Sequence, residues 1–85
     1  MMAIPVMMPQ IGENIETATI AAWTKKVNDP VTRGEILCKV ETEKATLEIE
    51  APESGVILAL LYPKGSEAPV LKPIAYIGQP GDRIP

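Results

Sequence analysis

The segment ETEKATLEIEAP, Glu41 to Pro52, sets one lysine among four glutamates, between two stretches with the pattern of strands. Elsewhere the side chains of acid–base and nucleophilic catalysis are scarce. The chain has no histidine and one cysteine, Cys38. Without histidine there is no Ser-His-Asp or Cys-His pair and no histidine-ligated metal site. One cysteine closes no disulfide within the chain. An ordinary lysine is protonated at neutral pH, with a pKa of about 10.4, and is then a poor nucleophile and a poor base. Only a low-dielectric pocket would lower that value, and a hairpin tip offers none. The chemistry open to Lys44 is to be modified by another enzyme.

Two strands must present that lysine. EILCKVET and ATLEIEA pair around a two-residue tip, Glu43-Lys44. Thr42 then faces Ala45, Val40 faces Leu47, Cys38 faces Ile49 and Ile36 faces Ala51, and this face is nearly all apolar. On the other face Glu41 meets Thr46, and Lys39 meets Glu48 in an opposite-charge pair that contributes roughly 0.2–1 kcal/mol. A slip of one residue would bury glutamates, so the alternation fixes the register. Lys44 is thereby carried to the outermost point of the domain. Two-residue hairpin loops usually hold Gly or Asn, which accept positive φ. Glu-Lys suits a type I turn instead, at some cost in strand twist. A tip selected for stability alone would contain glycine, so the side chains themselves are what is selected here.

The rest of the chain must fold around that hairpin. Its 85 residues make one small domain. A domain of this size buries roughly 60–70 % of its unfolded surface and leaves little room for a deep substrate cavity. Phenylalanine is absent and aromatic residues are 4 %, so Ile, Val, Leu, Met and Ala must fill the core. Isoleucine is abundant and favours sheet, while nine prolines and six glycines leave no space for a long helix. Net charge is −3 and the acids cluster in 41–53, which argues against nucleic acid as a partner. MMAIPVMMPQIGE lacks the pattern of a secretory signal, and no segment has the length of a membrane span.

Strands are expected at AIPVM, ETATIAAWTKK, EILCKVET, ATLEIEA, SGVILALLY and VLKPIAYIG. MPQIGEN, VNDPVTRGE and PKGSEAP read as loops and turns, and GQPGDRIP as the start of a linker. Short strands at this spacing predict a small all-β sandwich or barrel. A shift of 37 residues lays Ile20 on Ile57, Ala22 on Ala59, Trp23 on Leu60, Leu37 on Ile74 and Val40 on Ile77. The turns VNDP and KGSE coincide under the same shift. Two matching halves predict a pseudo-twofold arrangement. Trp23 is expected in the core and Cys38 as a buried thiol.

Three stretches resemble the lipoyl domains of 2-oxo acid dehydrogenase complexes. MPQIGENIETATIAAW is similar to the family's opening, M-P-x-[LM]-G-E followed by a strand ending in Trp. NDPVTRGEIL resembles G-D-x-V-x-x-G-D-x-L, with Asn28 where Gly is usual. ETEKATLEIEAPESGVI resembles E-T-D-K-A-x-x-E-x-x-[AS]-P-x-x-G-x-[IV], with Glu43 where Asp is usual. The resemblance covers about residues 3 to 78, followed by the linker from Gln79.

The resemblance implies a flattened barrel or sandwich of two four-stranded antiparallel sheets, with lipoate in amide linkage on Lys44. Glu41, Thr42, Glu43, Ala45 and Thr46 would flank the site for the modifying enzyme, a lipoate ligase or lipoyl transferase. Gln10, Ile11, Gly12, Glu13, Asn14, Ile15 and Glu16 would form a nearby loop read by a partner. The implied partners are a thiamine-diphosphate 2-oxo acid decarboxylase, an acyltransferase core and dihydrolipoamide dehydrogenase, with no nucleic acid and no membrane. The isolated domain would be a carrier and not an enzyme. Its parent chain would be a dihydrolipoamide acyltransferase in the bacterial cytoplasm, or in the mitochondrial matrix of a eukaryote.

Biotin carrier domains share this fold but usually hold their lysine as A-M-K-M, whereas Glu43 and Ala45 flank Lys44 here. The lipoate-bearing H-protein of the glycine cleavage system is longer and has helical additions. Unmodified barrel-sandwich adaptor modules generally lack the lysine hairpin.

Overall fold

Residues 2–85 are described by a computed structural model. Where the chain alternates or runs apolar between prolines and glycines, it forms strands: β1 (Ile4–Met7), β2 (Thr17–Trp23), β3 (Pro30–Val31), β4 (Ile36–Glu41), β5 (Thr46–Glu50), β6 (Gly55–Leu60), β7 (Glu67–Pro69) and β8 (Pro73–Gly78). There is no helix among the described residues. The strands make two four-stranded sheets, ordered β1-β8-β6-β3 and β5-β4-β2-β7, with every pairing antiparallel. This is the all-β, two-sheet architecture expected from the sequence, and the sheets stack as a sandwich.

Three sequence expectations are corrected. Pro30–Val31 and Glu67–Pro69, assigned to turns, are the short strands β3 and β7. Both lie at sheet edges, where a proline's missing N–H costs no ladder bond. Ile36 pairs with Glu50 and not with Ala51, because a bulge skips Leu37. Leu37 and Cys38 are consecutive and both fully buried, which strict alternation forbids and an extra residue allows.

The core lies between the sheets. Val6, Met8, Ile20, Leu37, Cys38, Val40, Ile57, Ile74 and Ile77 are its largest fully buried side chains. Each buried aliphatic residue contributes about 1.5–3 kcal/mol relative to an exposed one. Trp23 packs against this cluster, and its Nε1–H donates to the Tyr62 carbonyl (2.8 Å).

The repeat in the sequence is a repeat in the backbone. Residues 37 apart pair alike: β2, β3 and β4 repeat as β6, β7 and β8. Ile20 and Ile57, Leu37 and Ile74, and Val40 and Ile77 are all fully buried. The skipped residues also match, Ala21 with Leu58 and Leu37 with Ile74. So do the left-handed turn positions: Asn28 (φ 77°) matches Gly65 (φ 91°), and Gly34 (φ 87°) matches Leu71 (φ 62°). Asparagine and glycine tolerate this conformation. A leucine there costs about 1–2 kcal/mol.

The segment after β8, expected to open a linker, is held against the fold as far as Arg83. Gln79 to Asp82 form a turn, and Ala3 N–H donates to the Arg83 carbonyl (2.8 Å).

Candidate functional site

The β4–β5 hairpin begins in the core and leaves it. Cys38, Val40 and Ile49 are buried, while Leu47 and every residue from Glu43 to Thr46 are exposed. Cys38 faces Ile49, Lys39 faces Glu48, Val40 faces Leu47 and Glu41 faces Thr46, as the alternation predicts. Thr42 N–H donates to the Ala45 carbonyl (2.8 Å), so Glu43 and Lys44 are the two-residue tip. Neither has positive φ, which excludes the primed turns that glycine would serve. The Thr42 side chain holds the tip instead. Its Oγ1 accepts the N–H of Lys44 (3.2 Å) and of Ala45 (3.2 Å). A threonine hydroxyl used this way closes a turn without a special backbone conformation.

The Lys44 side chain is exposed and makes no hydrogen bond or ion pair among the described residues. An amine in that position is open to amide formation by another enzyme. The Cys38 thiol, six positions away on β4, is the opposite case: burial pushes its pKa up to about 11 and it touches no solvent. It is a core residue and not a second nucleophile. Among the described residues no group of three or more His, Cys, Asp or Glu side chains is placed to hold a metal ion.

Beside the tip runs an open groove of about 460 Å³. Asn14 to Thr19 form one wall, Glu41, Thr42 and Glu43 the other, and Glu67 stands at its edge. The loop before β2 and the lysine hairpin are thus brought together, but only through the second half of the loop. Asn14, Ile15 and Glu16 line the groove, and Gln10, Ile11, Gly12 and Glu13 do not. Gln10 braces the loop, its Nε2–H donating to the Gly12 carbonyl (2.6 Å), and Ile11 packs on the core. Glu13 is exposed and Asn14 turns the chain at φ 64°. The Glu16 carbonyl accepts Val70 N–H (3.0 Å).

Sequence reasoning missed Thr17, Thr19 and Glu67. The pairings set Glu41 opposite Thr19, and Thr19 opposite Glu67, so these three side chains stand in a row on one face of the sheet. The two carboxylates are two strand spacings apart, about 10 Å. With Glu16 and Glu43 they make the groove acidic. Glu67 was hidden because its strand is three residues long and ends in proline.

Comparison with known proteins bears on this arrangement. Residues 4–77 match a biotin/lipoyl family model described as "Biotin-requiring enzyme". The chain is 37 % identical over 83 residues to the dihydrolipoyllysine-residue acetyltransferase component of the acetoin cleaving system of Bacillus subtilis (strain 168). That match covers 98 % of this chain and 21 % of the relative. It is 40 % identical over 78 residues to the dihydrolipoyllysine-residue succinyltransferase component of the 2-oxoglutarate dehydrogenase complex of Rickettsia felis, covering 92 % of this chain and 20 % of that protein. The solution structure of the lipoyl domain of the 2-oxoglutarate dehydrogenase complex from Azotobacter vinelandii superposes with a TM-score of 0.72 at 27 % identity, over 95 % of this chain and 100 % of that one. The chain thus spans about a fifth of the length of the curated relatives it matches.

Proposed function

The chain belongs to the biotin- and lipoyl-attachment family, and on that premise we propose that it is a lipoyl carrier module with lipoate in amide linkage on Lys44. One observation carries the choice of residue. Lys44 is the exposed, unpartnered lysine at a hairpin tip whose backbone is held by its own threonine. The flanking residues, Glu43 and Ala45, favour lipoate over biotin.

The parts of the site have separable duties. Thr42 keeps the tip in one conformation, so a ligase meets a formed turn. The buried trio Cys38, Val40 and Ile49 anchors the hairpin, so an arm attached beyond it moves without moving the domain. Glu16, Glu41, Glu43 and Glu67 surround the attachment point with negative charge. Amide formation removes the lysine's positive charge and makes the tip more acidic. Such a rim draws the carrier to basic active-site mouths and raises encounter rates. The attached group supplies redox and acyl-carrying chemistry that these side chains lack.

The partners follow from the reading. A lipoate ligase or lipoyl transferase modifies Lys44. A thiamine-diphosphate decarboxylase, an acyltransferase core and dihydrolipoamide dehydrogenase then use the modified domain in turn. The parent chain is an acyltransferase component, of which this domain is a small part. Relatives from acetoin, 2-oxoglutarate and pyruvate systems match comparably, and all three substrate classes fit.

The test is chemical. Purified chain incubated with lipoate ligase, lipoate and ATP gains the mass of one lipoyl group, and with biotin ligase and biotin it gains none. Acceptance of biotin with refusal of lipoate overturns the proposal in favour of a biotin carrier.

A further inference from the structure

Among the described residues the two sheets end in four edge strands, and three of these carry a proline: Pro5 in β1, Pro30 in β3 and Pro69 in β7. A proline at an edge removes an amide with which a foreign strand could pair. The fourth edge, β5, is the longest at five residues and has no proline. Opposed residues in an antiparallel ladder alternate between hydrogen-bonded and non-hydrogen-bonded pairs. The bond from Thr42 N–H to the Ala45 carbonyl sets the phase, so Leu47 and Ile49 turn their amides and carbonyls toward β4. Thr46, Glu48 and Glu50 turn theirs outward, and this row of backbone groups is complete.

The side chains of β5 define what can pair with it. Glu48 and Glu50 are exposed on the outer face, and neither makes an ion pair among the described residues. Lys39 stands opposite Glu48, but Glu41 on the same face of β4 keeps the surroundings net acidic. On the inner face Ile49 is buried, whereas Leu47 is 37 % exposed at the margin of the sheet. A strand laid along this edge meets carboxylates on one face and apolar surface on the other. Because side chains alternate along a strand, its complement alternates basic and apolar residues. Pairing of β5 with a second copy of itself sets acidic side chains against acidic side chains, which disfavours self-association.

We propose that β5 is a strand-addition edge, which takes up an extended segment of a partner protein in which basic and apolar residues alternate. Main-chain bonds to Thr46, Glu48 and Glu50 hold the segment, and the Glu48 and Glu50 carboxylates select it. The edge begins two residues beyond Lys44, so a seated segment lies alongside the hairpin tip. This docking needs no group on Lys44.

The experiment titrates the isotope-labelled chain with a blocked peptide that alternates lysine and valine, and reads amide exchange residue by residue by NMR. Saturating peptide slows exchange at Thr46, Glu48 and Glu50 about tenfold, and a peptide that alternates glutamate and valine leaves it unchanged. Glu48→Pro gives this edge what the other three have and keeps the ladder to β4, and it weakens binding about tenfold. Glu48→Gln combined with Glu50→Gln keeps every amide and weakens binding about fivefold. Thermal melts verify that each variant is folded; if Glu48→Pro is not, the glutamine pair and the exchange pattern of the parent chain still decide. Unchanged exchange at the three outward amides in roughly millimolar lysine–valine peptide overturns the proposal. Equal protection by the acidic peptide, or undiminished binding by folded Glu48→Pro, overturns it as well.

Discussion

Under the 37-residue repeat, the turn Thr42–Ala45 after β4 corresponds to the turn Gln79–Asp82 after β8. The second is built from residues that make turns: Pro80, then Gly81 at φ 91°, with Asp82 N–H donating to the Gln79 carbonyl (2.9 Å) and Gln79 N–H to the Asp82 carboxylate (2.8 Å). The first has neither proline nor glycine. Lys44 stands where Gly81 stands, and the Thr42 hydroxyl supplies the missing local support. The same strand-end thus carries two solutions. Where only closure is needed, the backbone chooses the residues. Where a side chain must be presented, the turn keeps that side chain and recruits a neighbour to hold it.

Matching substitutions in the two turns test this division, and the largest effect is all or none. Lys44→Ala loses lipoylation completely and keeps its Tm within about 2 °C, because an exposed tip residue makes few contacts. Gly81→Ala does the reverse: lipoylation is unchanged, while a side chain at positive φ costs about 1 kcal/mol, or a Tm lower by about 4–8 °C. Mass spectrometry and thermal melts read both. If Lys44→Ala melts as early as Gly81→Ala, the two turns are not different in kind and the comparison fails.

Thr42→Ala is the next in size. It leaves the Lys44 and Ala45 amides without their hydroxyl acceptor, at a cost of about 1 kcal/mol. Lipoylation slows severalfold because the ligase meets a less ordered tip, and Thr42→Ser restores the rate. Equal rates for the alanine and serine variants would show that the hydroxyl is not what holds the lysine in place.

The smallest effect lies at the other matched pair of turns, where Glu35 corresponds to Lys72. The Glu35 carboxyl is held below the usual carboxylate range, first by the hydrogen bond from Lys25 and then by the Thr32 amide. A carboxyl lowered in the folded state stabilises at neutral pH, and the contribution is lost as pH falls through its folded value. Glu35 lies at the surface, so the loss is slight. Glu35→Gln flattens this part of the acid limb of a urea titration between about pH 7 and about pH 3. Lys72→Gln leaves it intact.

What the sequence made legible follows the same physical lines. The β4–β5 register was readable because Val40, Leu47 and Ile49 alternate with charged residues, and a slip would bury glutamates. The repeat was readable because buried positions such as Ile20 and Ile57 must match in both halves. Strands β3 and β7 were not, since two or three residues beside a proline carry no period. The bulge at Leu37 hides in two consecutive apolar residues that fit either register. At the site, Lys44 was visible because local pattern alone sets its exposure. Thr19 and Glu67 were not, because only the pairing of β2 with β7 brings them beside Glu41. Leu71 looks ordinary in the sequence, and its strain emerges only when its backbone angle is set against that of Gly34.

Peptide mapping of the chain after co-expression with a lipoate ligase tests the central claim most directly. A single lipoyl group is expected on the peptide that contains Lys44, with Lys25, Lys26, Lys39, Lys64 and Lys72 all unmodified. A lipoyl group on any of those five, or a chain that stays unmodified beside a working ligase, contradicts it.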